Sequence, residues 1–405
     1  MPRVSAYPLV SAELALSTIL ERAQPLGQET VELTRARGRL LARDIASPED
    51  VPALPRSSVD GYAVRADEAA QRLDVLGDVT AGHLAQTDLR PGTTLRIMTG
   101  GMLPSGADAV VMVEEVEETD GVAVLQHQPR RGENVHPPGM DLTRGQHVLS
   151  AGTVLGAAEV GLLATVGCTA VPVFRKPRVA VLATGDELVE PHQAPPPGAV
   201  RDSNRFALIA AAEEAGADVV WHGHAADDEA ALERAMRLGL QSADVLLTSG
   251  GVSMGTRDLI KPILESLGTV HFGRVSFKPG KPLTFASTAE GKLAFGLPGF
   301  PVSSLVTFEV FVRPALRQLG GASTVLRPRV SVELGHEVRP DAVRLEYQRA
   351  SVEWRGDRFV ARTTGLQASS RLLSIVGANA LLELQPGSLP LPAGTIVQAL
   401  LLANL

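Results

Sequence analysis

Cysteine is almost absent from this sequence: Cys168 is the single thiol in 405 residues, which excludes an internal disulfide framework. No apolar run approaches the roughly 18 residues that a membrane-spanning helix needs. No basic N-terminal region leads into an apolar core and a small-residue cleavage site. These absences point to a protein of the cytoplasm. Net positive charge is missing as well. The formal charge is −7, so the dense basic face that duplex nucleic acid rewards is not expected, although small anions can be bound locally. Lysine is scarce: Lys176, Lys261, Lys278, Lys281 and Lys292 are five of 38 basic residues, and arginine supplies the other 33. Two of the five stand three apart in Lys278-Pro279-Gly280-Lys281, a spacing that points to a need for compact ammonium donors in place of planar forks, with chance as the equal alternative from the spacing alone.

What remains is an ordinary globular balance, 44% hydrophobic and 20% charged, which supplies a large core and argues against extensive disorder. The length exceeds what one core usually supports, so two to four domains are expected. Between 178 and 319 short apolar runs alternate with helix-like stretches. The pattern predicts buried strands at 179–183, 219–222, 245–248 and 293–297 and helices at 204–215, 228–240 and 258–267. Ser203 or Asn204 and Asp227 suit the helix N-caps, and Pro301 suits the first turn of a last helix reaching about 319. The fold class is therefore α/β and multi-domain, with a central doubly wound sheet covered on both faces. Residues 48–142 and 326–405 instead carry short β-like runs broken by Pro and Gly. Helical patterns at 11–23 and 157–165 bracket the first of these. The expected division is a helical stalk of 1–47 plus 143–176, an inserted β-rich module of 48–142, an α/β domain of 177–325 and a β-rich C-terminal module of 326–405.

In an open α/β sheet ligands bind beyond the carboxyl ends of the strands. Three polar loops follow the expected strands: Thr184-Gly185-Asp186-Glu187, the segment Ser249-Gly250-Gly251-Val252-Ser253-Met254-Gly255, and Pro298-Gly299-Phe300-Pro301-Val302-Ser303-Ser304. Gly250-Gly251 permits close backbone approach to an oxyanion, with a helix following; a bare tight turn is the simpler reading of the pair alone. No Gly-x4-Gly-Lys-Ser/Thr occurs, which argues against a P-loop NTPase. Carboxylates recur near the same crevice: Asp186, Glu187, Asp227, Asp228 and Asp258. Singly they read as helix caps or solvated groups. Together they could hold Mg²⁺, with Lys278 and Lys281 neutralising charge in a metal-assisted attack on a phosphoanhydride. His222, His224, His136 and Cys168 form no zinc spacing, and structural roles suit them better.

Several stretches in order resemble the molybdopterin molybdotransferases, a family that includes the C-terminal domain of gephyrin. They are Ser57-Ser58-Val59-Asp60-Gly61-Tyr62-Ala63, Arg96-Ile97-Met98-Thr99-Gly100-Gly101, Gly106-Ala107-Asp108-Ala109-Val110-Val111, Arg131-Gly132-Glu133-Asn134 with Gly139-Met140-Asp141, Thr184-Gly185-Asp186-Glu187-Leu188, Ser249 to Gly255, Lys278 to Lys281, and Leu297 to Ser303. The resemblance runs nearly end to end. It implies a helical stalk, an inserted β module, a central α/β domain and a C-terminal β barrel, assembled as an elongated homodimer. In that family the active site is a cleft between the α/β and C-terminal domains of one chain and the first two domains of the other. It also implies adenylylated molybdopterin and molybdate as substrates, Mg²⁺ as cofactor, AMP as product and docking by other assembly proteins of the same cofactor. By the same resemblance Asp60, Thr99, Asp141, Glu187, Asp258, Lys278 and Lys281 are the catalytic positions. Gly250, Gly251, Ser253, Arg274, Pro298, Pro301, Arg349 and Ser370 are the substrate-binding positions. Glu187, Asp227, Asp228 and Asp258 are the metal positions.

Two departures stand out. Arg274 occupies a position where some members place lysine, keeping charge but changing donor geometry. Phe300 replaces an asparagine common in the family and removes a polar contact. Two other readings compete: a molybdopterin adenylyltransferase, which the α/β part alone resembles and the flanking modules disfavour, and a non-enzymatic scaffold, for which no long linker to a further domain is present.

Overall fold

A computed structural model describes residues 7–68, 70–251 and 259–403. Ser253 and Asp258 lie outside the described residues. The chain divides into two compact units, one of Met1–Thr30, Gly38–Ala42 and Pro172–Leu405, the other of Val31–Arg37 and Arg43–Val171.

The second of these is built on a six-stranded sheet in the order Ala109–Met112, Gly61–Val64, Thr93–Ile97, Arg72–Val79, Val122–Leu125, Val116–Thr119. Side chains alternate across a strand, and both faces are covered. Tyr62 and Val64 join Leu73, Val111 and Ala123 on one side, while Ala63 joins Val79, Leu95, Ile97 and Val110 on the other. The expected helix at 157–165 is present as Ala157–Thr165.

The larger unit contains the α/β core. Its elements are β1 (Arg178–Thr184), α1 (Asn204–Glu214), β2 (Asp218–Ala225), α2 (Glu229–Ser242), β3 (Val245–Ser249), α3 (Ile260–Leu267), β4 (Gly268–Phe272), β5 (Thr284–Thr288), β6 (Leu293–Leu297) and α4 (Pro301–Thr307). The sheet order is β2-β1-β3-β6-β5-β4. The first four strands are parallel, and β5 and β4 add an antiparallel edge. The run Val179–Ala183 is wholly buried because helices cover both faces. Val179 and Val181 pack with Leu208, Ala212, Phe311 and Leu316; Ala180 and Leu182 pack with Leu232, Met236, Leu240 and Ile263. Each fully buried Val, Leu, Ile, Met or Phe among them contributes about 1.5–3 kcal/mol relative to exposure. The N-terminal helix Ala12–Arg22 is capped by Ser11, whose Oγ accepts from the Leu14 N–H at 3.1 Å; its Ala15 and Ile19 enter the first of these clusters.

Three local expectations are corrected. The cap of α2 is Asp228, whose Oδ1 accepts from the Ala231 N–H at 2.8 Å, so Asp227 lies outside the helix. Ser203 precedes α1 without a side-chain cap bond; Asp202 accepts the Arg205 N–H instead, at 3.0 Å. The long last helix is not uniform: α4 passes through a π-helical turn at Phe308–Val312 into Arg313–Leu319. Pro314 has no N–H to return and crowds the carbonyl four residues back, so a widened turn before it relieves that clash.

Five strands close a C-terminal barrel. Leu345–Arg355 pairs with both Arg358–Thr363 and Ala380–Leu384, and Arg329–Leu334 and Ile396–Leu401 complete the circuit. Closure removes free strand edges. The short strand Phe277–Lys278 pairs in parallel with Leu345 and Glu346, joining the α/β core to the barrel. Among the described residues no helix is long and apolar enough to cross a membrane.

Candidate active site

The loops after β1, β3 and β6 meet where the sheet reverses its winding, between β1 and β3. They surround a cavity of about 770 Å³ whose walls include Thr184, Glu187, Asp227, Gly250, Gly251, Pro298, Pro301 and Ser370. That volume suits a small organic ligand. The glycine pair is required by geometry: Gly250 and Gly251 have φ of +98° and +66°. A β-carbon at Gly250 would lie 2.5 Å from the Thr184 carbonyl oxygen. The pair does not offer both N–H groups to a ligand, because Gly250 donates to the Leu297 carbonyl at 3.2 Å. It fastens the β3 loop to β6.

Asn204, at the start of α1, ties the same loops together. Its Nδ2 donates to Ser249 Oγ at 2.8 Å and to the Gly299 carbonyl at 2.7 Å. Sequence reasoning took Asn204 only as a helix cap; its position in Asp202-Ser203-Asn204, at the mouth of the sheet crevice, is the signal that marks it. Segment 187–203 forms another wall. Glu187 accepts the Val200 N–H through its carbonyl at 2.8 Å, and the buried Arg205 guanidinium holds the segment down. Its Nε lies 2.9 Å from Asp202 Oδ2, and its Nη2 donates to both Glu190 oxygens at 2.7 Å. This bond holds the Glu190 carboxyl below its ordinary pKa.

Of the expected site residues, Glu187, Asp227, Gly250, Gly251, Pro298, Pro301 and Ser370 share this cavity. Asp186 stands behind Asp227, accepting its backbone N–H at 3.0 Å. Asp228 caps α2 through Oδ1. Lys278 is not on the cavity wall: its Nζ sits 3.1 Å from Glu346 Oε1 and 3.4 Å from Asp341 Oδ2. The Lys281 side chain makes no ion pair among the described residues. Arg274 donates to the Tyr7 carbonyl at 2.8 Å.

Arg349 is 1% exposed and donates to Ser374 Oγ at 3.0 Å and to the Ala368 carbonyl at 3.3 Å. Burial lowers the pKa of its guanidinium. Its donors hold the segment on which Ser370 reaches the cavity, and the Val302 N–H bonds the Ser369 carbonyl of that segment at 3.0 Å.

In the second unit, Asp60 and Thr99 come together on an exposed turn. Asp60 Oδ1 accepts the Thr99 N–H at 2.7 Å and its hydroxyl at 3.0 Å. The backbone bond first, then the hydroxyl, holds the Asp60 carboxyl below its ordinary value. Asp141 is exposed, with its N–H bonded to the Val51 carbonyl at 2.9 Å. The same unit gathers Glu115, His127 and Glu133. Glu133 lies 2.9 Å from His127 Nε2 and Glu115 3.9 Å from Nδ1, so the carboxylates sit on different ring nitrogens.

Residues 10–167 match the family model of the MoeA N-terminal region (domain I and II), 180–318 that of the probable molybdopterin binding domain, and 331–402 that of the MoeA C-terminal region (domain IV). The chain is similar to a molybdopterin molybdenumtransferase of Nostoc sp., 36% identical over 92% of this chain and 88% of that one. It is similar to a gephyrin of Dictyostelium discoideum, 36% identical over 99% of this chain but only 63% of that longer protein. The crystal structure of a molybdopterin biosynthesis MoeA protein from Pyrococcus horikoshii matches with a TM-score of 0.85 at 34% identity, covering 98% of this chain and 100% of that one.

Proposed function

The chain belongs to the molybdopterin molybdenumtransferase family, and we propose that it takes adenylylated molybdopterin and molybdate, places molybdenum on the pterin dithiolene and releases AMP. The observation that carries this reading is the cavity of about 770 Å³ beyond the carboxyl ends of β1, β3 and β6, roomy enough for a pterin nucleotide and walled by both carboxylates and glycine turns.

Glu187 and Asp227 fit a hard divalent cation, since both line the cavity and Mg²⁺ takes one or two carboxylates with water and phosphate oxygens completing its shell. When bound, Mg²⁺ supplies charge neutralisation at the phosphoanhydride. Asp258 belongs to the same proposal. Asp228 stays in the same proposal, since its cap bond engages Oδ1 alone. Pro298 and Pro301 shape the floor, Gly250 and Gly251 keep the β3 loop close to β1, and Ser370 brings a hydroxyl from the C-terminal segment. Lys281 supplies a cation for an oxyanion. Arg274 and Arg349 act at a distance, by holding backbone.

The stalk, inserted module, α/β domain and barrel are proposed as the four parts of a cytoplasmic homodimer. Asp60, Thr99 and Asp141 of one subunit complete the cleft of the other, an arrangement supported by the exposed, pre-set Asp60 and Thr99 pair. The test is turnover. Wild type should release AMP from adenylylated molybdopterin in the presence of Mg²⁺ and molybdate, and Glu187→Gln should lose at least tenfold of that rate while keeping its fold. An unimpaired Glu187→Gln enzyme with unchanged Mg²⁺ dependence removes the metal assignment.

A further inference from the structure

The cavity has a charge problem. Glu187, Asp202 and Asp227 are among its lining residues, and the one cation among the described lining residues is Arg201. Asp202 is matched by Arg205, and Lys278 already faces Asp341 and Glu346. Among the described lining residues, Arg201 is thus the one side-chain cation that an anionic ligand in this space can meet.

We propose that Arg201 is a substrate-binding residue that holds the phosphate of the bound nucleotide. The proposal rests on the reading of the cavity as the site for adenylylated molybdopterin. Arg201 sits on a fixed backbone: Val200–Arg201 pairs in parallel with Leu188–Val189, next to Glu187. Its Nε is shared between the carbonyls of Pro191 and Gln193, at 3.0 and 3.1 Å. That anchor sets the plane of the guanidinium and leaves both terminal amino groups without a bond among the described residues. A planar fork held at its root and open at its tip matches two phosphate oxygens at once, and less rotamer freedom remains to be lost on binding. Arg201 and Glu187 both line the cavity, so a ligand there can meet the phosphate cation and the metal carboxylate together.

The experiment uses the full-length protein, with AMP as inhibitor of turnover and adenosine as its uncharged counterpart, at low and high salt. Arg201→Gln should raise the AMP inhibition constant at least tenfold and flatten its salt dependence, because a screened charge contact is gone. Arg201→Lys should recover part of the loss, and any inhibition by adenosine should stay within twofold of wild type. An AMP constant within twofold of wild type in Arg201→Gln overturns the proposal. So does an equal factor of weakening at both salt concentrations, which marks a distorted wall. Should Arg201→Gln fail to fold, Arg201→Lys decides: its AMP constant should rise at least threefold, and an unchanged value overturns the assignment. Wild type without any turnover removes the functional reading itself; normal turnover with an unresponsive Arg201→Gln removes only Arg201.

Discussion

Lys278 stands opposite Glu346 in the strand pairing that joins the α/β core to the barrel, and its ammonium lies 3.1 Å from that carboxylate. Glu346 is 3% exposed, and Asp341, held well below the usual carboxylate range by Arg344 and two backbone N–H groups despite its burial, flanks the same ammonium. Lys278 therefore matches buried charge before any ligand arrives. Lys278→Ala should destabilise the fold by about 1–3 kcal/mol, below the roughly 3–5 kcal/mol for breaking a fully buried pair because the lysine itself is partly solvated. Lys281→Ala, with no ion pair to break among the described residues, should stay within about 0.5 kcal/mol. Urea unfolding of the two variants separates them; equal losses contradict the structural role of Lys278.

At Gly250 the conformation and the space both forbid a side chain. Gly250→Ala places a methyl group 2.5 Å from a backbone oxygen at φ +98°, and should cost at least about 2 kcal/mol through strain and overpacking. Gly299→Ala, whose nearest neighbour would be Gly250 Cα at 3.6 Å, should fold normally. Thermal unfolding checks the contrast, and a Gly250→Ala protein as stable as wild type contradicts the tight β1–β3 approach.

The Asp60 carboxyl is held below the ordinary 3.8 by the Thr99 N–H first and the Thr99 hydroxyl second. A depressed folded-state pKa contributes stability above the unfolded value, and that contribution is lost as pH falls through the folded value. Thr99→Val removes the hydroxyl and keeps the N–H, so the Asp60 pKa should rise part of the way toward the ordinary value. Carboxyl-carbon NMR titration measures this; an unmoved midpoint means the hydroxyl bond does not form in solution.

Much of the fold is legible in the sequence because burial writes a periodicity. The run 179–183 is apolar at every position since helices cover both faces of β1, and the polar loops after β1, β3 and β6 mark the cavity. Other features depend on partners far away. The strands β4 and β5 are mixed in character, and β5 pairs with β4 and β6. Barrel closure needs Leu345–Arg355 to pair with two later segments, the adjacent Arg358–Thr363 and the more distant Ala380–Leu384. The roles of Lys278 and Arg349 turn on Glu346 and Ser374, which no local pattern announces. Asp227 and Asp228 both suit a cap, and only the Ala231 N–H chooses between them. Arg201 lies in no motif; its importance appears once the other lining charges are counted.

The shared cleft is testable by mixing. Asp60→Asn and Glu187→Gln, each inactive alone, should regain activity when the two proteins are dissociated together and reassembled. Random pairing makes about half of the dimers mixed, and each mixed dimer has one intact cleft, so about a quarter of sites should recover. Mixed dimers confirmed by differently tagged chains but still inactive would withdraw Asp60 from the partner's site.

The most direct measurement follows AMP and pterin-bound molybdenum together in one reaction, with purified protein, adenylylated molybdopterin, Mg²⁺ and molybdate. The result expected is a joint rise, about one molybdenum bound for each AMP released, and no AMP when molybdate is withheld. Formation of adenylylated molybdopterin from ATP and molybdopterin, with pyrophosphate released and no molybdenum bound, would contradict it and assign the chain to the preceding adenylylation.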